Sequence, residues 1–198
     1  VRQTEAFRCF LEMRKAIFES LARIEAKVGQ TINIDAEMAF VTADVIFRTM
    51  FSRPIDDSEA KLIFDEFGNY QNALPHMTVW SLISSTSHNR KALPKKAQQA
   101  AGRIRGVILD LLNERRSGKV RHDDICQIIA DCRDPEDGKP FTDQEAIDQI
   151  AFFFLAGHET SASALTWAFN CLSSDKSVAD RVAEESQAVT GGDFISFS

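Results

Sequence analysis

Residues 152–167 read FFFLAGHETSASALTW. Three phenylalanines and a leucine open a buried apolar segment, which Gly157, His158, Glu159 and Thr160 then interrupt. The apolar pattern extends on both sides. Upstream, Ile147, Ile150, Ala151, Phe154 and Leu155 recur at the three- and four-residue spacing of one helix face, and downstream Leu165, Phe169 and Leu172 resume it. Thr142 and Glu145 form a capping box that sets the helix start near Asp143. The spacing therefore predicts one helix of about 30 residues, roughly 45 Å at 1.5 Å per residue, long enough to cross a whole domain.

The centre of this helix needs a reason. A glycine inside a helix costs roughly 1 kcal/mol relative to alanine. Ala156, Gly157, Thr160, Ser161 and Ala164 share a surface of very small side chains that lets a neighbour approach the backbone closely. Thr160 can donate back to the carbonyl of Ala156, which bends a helix locally. Glu159 adds a carboxylate to an apolar neighbourhood, where it must be paired, hydrated or protonated. An acid beside a hydroxyl, opening onto a groove widened by glycine, is what a proton relay to a bound ligand requires. Tight packing against another helix explains the small residues equally well, and a solvated face explains the glutamate. The run His158-Glu159 does not continue to a second histidine four residues on, because that position is Ala162, so a zinc-protease site is excluded.

The rest of the chain is helical in pattern as well. One helix carries Phe7, Phe10, Leu11, Ile17, Phe18, Leu21, Ile24 and Val28 and is closed by Gly29. Asp35 is a candidate cap for a second, with Met38, Val41, Val45 and Ile46. A third runs from near Asp57 through Leu62, Ile63 and Phe67 to a stop at Pro75. Pro94 opens a fourth that ends at Gly118, and a short helix covers DDICQIIADC. The stretch HMTVWSLISSTSHNR reads as a loop, and RDPEDGKP is dense in turn formers. Six to eight helices and no convincing strand make the fold class mainly α.

Composition narrows the function. A net charge of −6 argues against a general nucleic-acid binder, and Lys95-Lys96 and Arg115-Arg116 read as solvated helix faces. No apolar run approaches the roughly 18 residues of a membrane span, and no signal peptide is evident. Cys9, Cys126, Cys132 and Cys171 lack paired spacing and read as reduced thiols of a cytoplasmic protein. His76, His88 and His122 have no partners at ligand spacing.

The run Ala156-Gly157-His158-Glu159-Thr160-Ser161 resembles the central helix of the cytochrome P450 family, whose pattern [AG]-G-x-[DE]-T-[ST] it matches throughout. The flanks DPEDGKPFTDQEAIDQIAFFFLAG and ALTWAFNCL are similar to that family too. The resemblance extends over residues 1–198 as one incomplete domain, with residues 134–189 its specific part. It implies the central helical portion of the P450 fold, without both chain ends and most of the β-structure. It also implies a haem-thiolate monooxygenase that uses O2 and electrons from a redox partner protein to oxidise a hydrophobic small molecule. In that picture Ala156 and Gly157 are small because haem and its oxygen lie against them, and Thr160 touches the same ligand. Thr160 helps deliver protons for O–O cleavage, and Glu159 connects the site to solvent. His158 falls at the pattern's variable position and carries no implied role.

None of the four cysteines sits in the glycine-rich context of the family's ligand loop, and no metal ligand is assigned in this chain. The chain therefore reads as an internal piece, inactive alone, of a larger enzyme. The stretch at residues 75–90 is a candidate lid. One departure is SSDKSV, where the family often has His-Pro; Lys176 there opposes the helix dipole and predicts a softer helix start. The competing reading is a non-enzymatic helical module whose small-residue strip packs a partner helix.

Overall fold

The computed structural model describes residues 3–55, 58–73, 94–119, 121–136 and 138–191. Among them are seven helices: α1 (Gln3–Glu25), α2 (Ile34–Phe51), α3 (Ser58–Ala73), α4 (Lys95–Arg116), α5 (Ile125–Asp131), α6 (Asp143–Ser174) and α7 (Lys176–Thr190). The only extended pairing among the described residues is an isolated bridge between Arg133 and Pro140. It closes the turn-rich loop, in which Gly138 takes φ 72° and its N–H donates to the carbonyl of Asp134. The candidate lid, with His76 and His88, lies outside the described residues.

The long helix α6 begins where the capping box placed it. Thr142 Oγ1 accepts from the Glu145 backbone N–H, and the Glu145 carboxylate accepts from the Thr142 N–H at 2.8 Å. α2 is capped by Asn33, whose side chain accepts from the Ala36 N–H at 3.2 Å, and Asp35 instead lies in the first turn. Both residues suit a cap, but only Asn33 has the extended backbone the position requires. The start of α7 is also firmer than Lys176 suggests. Asp175 accepts from the N–H groups of Ser177 and Val178, and Lys176 is drawn away to Asp180.

α2 and α6 pack along each other, α1 lies on α2, and α3 pairs with α4. Their apolar stripes meet in one core around Phe47, Phe51, Ile63, Phe67, Ile108, Leu112, Ile150 and Phe154. Phe154 is central: its ring lies 5.3 Å from that of Phe47 and 5.6 Å from that of Phe67.

Arg115 departs from the solvated face its doublet suggests. Its side chain is fully buried, and Nη2 donates to Asp124 Oδ2 at 2.9 Å and to the Phe51 carbonyl at 2.7 Å. Asp124 also caps α5 and accepts from Ser52, the one non-glycine residue with positive φ among those described. A buried carboxylate thus joins the end of α2, the end of α4 and the start of α5 through charge-assisted hydrogen bonds.

Candidate functional site

The central turns of α6 divide by face. At 3.6 residues per turn each residue advances about 100°, so Ala156 stands about 200° around the helix from Phe154. Ala151, Phe154 and His158 turn inward, whereas Phe152, Ala156, Glu159 and Thr160 are exposed. The Thr160 hydroxyl donates to the Ala156 carbonyl at 2.7 Å, the back-bond expected from the sequence. Its oxygen keeps a lone pair for another donor, and the hydroxyl can rotate toward a ligand on this face. Glu159 is exposed, so water hydrates its carboxylate.

Gly157 points elsewhere. A Cβ built on it would stand 2.6 Å from Ile46 Cδ1 of α2, which no side-chain carbon tolerates without a shift. The missing side chain leaves room for the end of Ile46 of α2 against the α6 backbone. Ala156 and Thr160 lie on the open face, and Gly157 lies between that face and α2.

His158 is the residue that sequence reasoning passed over. It is 6% exposed. Its ring stacks on Phe154 at 5.4 Å and meets Phe64 and Phe67 edge-on. Nε2 lies 3.1 Å from the Ala39 carbonyl oxygen of α2, so the N–H resides on that nitrogen and donates across the interface. Desolvation holds the imidazole's proton affinity below the usual histidine range, and it is neutral. The signal was present: His158 follows Phe154 by four residues and Ile147 by eleven, in register with the buried face.

The open face is low in bulk and bordered by exposed aromatic rings. Phe152 and Phe153 are 64% and 47% exposed, and Ala156 between them and Thr160 adds little bulk. Burial pushes the Cys126 thiol up to about 12, with the Asp124 carboxylate adding to the effect, so it stays protonated. Cys132 and Cys171 are exposed, and no cluster of His, Cys, Asp and Glu able to hold a metal occurs among the described residues. Ala156, Thr160 and the exposed phenylalanines would fit a flat apolar cofactor such as haem laid against this face. No described helix is long and apolar enough to cross a membrane.

The sequence profile of the family "Cytochrome P450" matches residues 7–197. The chain belongs to the cytochrome P450 family. It is 28% identical over 169 residues to a cyclooctat-9-en-7-ol 5-monooxygenase of Streptomyces melanosporofaciens, covering 83% of this chain and 36% of that protein. It is 27% identical over 195 residues to a pentalenene oxygenase of Streptomyces avermitilis, covering 96% of this chain and 41% of that one. Among solved structures, the haem domain of cytochrome P450DA superposes with a TM-score of 0.72 at 18% identity, over 97% of this chain and 41% of that domain. That likeness shows the fold, as the mainly α reading expected. The chain spans about four-tenths of the length of these two relatives.

Proposed function

We propose that this chain supplies the oxygen-side wall of a haem-thiolate monooxygenase that oxidises a hydrophobic small molecule with O2 and electrons from a redox partner protein. The observation that carries this reading is the pairing of Ala156 and Thr160 on the open face of α6, with exposed Glu159 beside them. The haem would lie against Ala156 and Thr160, with Gly157 contributing its backbone between them, and would supply the redox chemistry of dioxygen activation.

The chain's own groups then have separable tasks. Thr160 Oγ1 swings its proton from the Ala156 carbonyl to an oxygen held on this face. Glu159, in contact with water, replaces that proton from solvent. Phe152 and Phe153 keep the surrounding wall apolar and dry. The apolar substrate class is supported by these phenylalanines and by relatives named for pentalenene and cyclooctat-9-en-7-ol. A cytoplasmic location fits four cysteines that are all unpaired.

The test is a reduced carbon-monoxide difference spectrum of a longer polypeptide that extends this chain to the length of its relatives, with the 198-residue chain beside it. A thiolate-type Soret band in the longer protein and none in this chain is expected. No haem signal in the longer protein would overturn the reading. A thiolate band in this chain alone would place the ligand on one of its four cysteines and overturn that part. In the longer protein, Thr160→Val lowers product formed per O2 consumed by about tenfold or more, whereas Thr160→Ser retains it.

A further inference from the structure

Behind the central helix, α2, α3, α4 and α6 surround a cavity of about 250 Å³, open to solvent on one side. It lies against Phe154 and Ala151, and so on the opposite side of α6 from Ala156 and Thr160. Phe67, Ile104, Ile108 and Phe154 give it apolar walls. By comparison, an apolar cavity of about 150 Å³ already takes up benzene.

Among the described residues, two polar side chains stand at this cavity, Tyr70 of α3 and Arg105 of α4. The charge of Arg105 is already balanced: Nη2 donates to Asp148 Oδ1 at 2.6 Å, and Asp148 Oδ2 accepts from the Gln144 amide at 2.7 Å. The Arg105 side chain is 43% exposed as a whole, but its Nη1 is covered and has no hydrogen-bond partner among the described residues. A shielded N–H donor without an acceptor is unfavourable, and an oxygen brought in by a ligand relieves it. An apolar enclosure with a few polar groups is the general form of a small-molecule site.

We infer that this cavity is a second binding site, for a compact and mostly apolar molecule with one neutral oxygen acceptor, such as a bicyclic ketone. The hydrocarbon body packs against Phe67, Ile104, Ile108 and Phe154, and the carbonyl oxygen accepts from Arg105 Nη1. A pure hydrocarbon leaves Nη1 unpaired. The site needs no haem. Its wall residue Phe154 stacks on His158, so an occupant bears on the turn of α6 that carries Glu159 and Thr160.

Tyr70 is the chain's one tyrosine, so 3-fluorotyrosine labelling gives a single fluorine resonance at the cavity. The 198-residue chain is titrated with 1-indanone and, separately, with indane. A saturable shift of the Tyr70 signal by 1-indanone is expected, at lower concentration than for indane. Ala101→Phe, which fills the cavity, abolishes it. Arg105→Met weakens 1-indanone about fivefold or more and leaves indane unchanged. If Ala101→Phe loses the helical circular dichroism of the parent chain, Ala101→Leu takes its place. A shift that does not saturate would overturn the inference. So would undiminished binding by the folded Ala101 variant, or an Arg105→Met effect equal for ketone and hydrocarbon.

Discussion

At Gly157 a missing methyl group leaves room for the tip of Ile46 from the neighbouring helix. An added Cβ would meet Ile46 Cδ1 at 2.6 Å and Cγ1 at 3.7 Å. Only the far end of the isoleucine is too close, and Ile46→Val removes that atom. Gly157→Ala gains about 1 kcal/mol of helix propensity, so the contact decides the sign. The expected outcome is a double-mutant cycle in which Gly157→Ala is more favourable by about 1 kcal/mol in the Ile46→Val background than in the parent. Equal effects in both backgrounds, read by urea unfolding, would show that Ile46 does not limit a side chain at this position. His158 makes a second prediction at this scale. Burial lowers its proton affinity in the folded state, so the unfolded chain binds the extra proton first. Its contribution to stability is complete above about pH 6.5 and is lost as pH falls below that value. For one proton the slope is at most about 1.4 kcal/mol per pH unit. Unfolding free energies measured between pH 5 and pH 7.5 (by about half-unit steps) should lose this slope in His158→Phe.

At the scale of elements, polar pairs decide where helices begin and how they join. The box of Thr142 and Glu145 and the cap by Asp175 are local, made within three residues of the helix start. The Arg115–Asp124 pair is not local in its effect, because the same carboxylate serves α2, α4 and α5. Removing one partner of a buried pair strands the other's charge, at a cost of about 3–5 kcal/mol. Asp124→Ala should therefore shift the unfolding midpoint by that amount, far more than Arg53→Ala, whose partner Glu114 is half exposed. A loss under about 1 kcal/mol would mean that water reaches Arg115.

For the whole molecule, the distribution of apolar surface is the telling feature. Phe7, Leu11, Ile17, Phe18 and Leu21 on α1 and Leu165, Trp167 and Phe169 on α6 remain exposed. An apolar groove between α1, α2 and α6 lies beside Gly157 and Ser161. Surface of this kind is uncommon on a self-contained domain. The 198-residue chain should bind anilinonaphthalene sulfonate strongly while keeping its helical circular dichroism. A monomeric chain, by sedimentation, that does not bind the dye would contradict the exposure of these faces.

How much of this was legible beforehand follows the range of the forces involved. The helix of α6, its capped start, the back-bond of Thr160 and the turn at Gly138 depend on residues three to five apart, and the sequence by itself determined them. The motif at Ala156–Ser161 likewise identified the family, because it is contiguous. Other features depended on partners distant in sequence. That Arg115 is buried rests on Asp124 and the Phe51 carbonyl, and that His158 is a clamp rests on Ala39, 119 residues away. Gly157 read equally as room for a ligand or for a helix until Ile46 was seen beneath it. The choice between Asn33 and Asp35 as a cap turned on a backbone angle. Tertiary structure alone decided these cases, because burial and pairing are properties of the packed chain, whereas periodicity and capping are properties of its neighbouring residues.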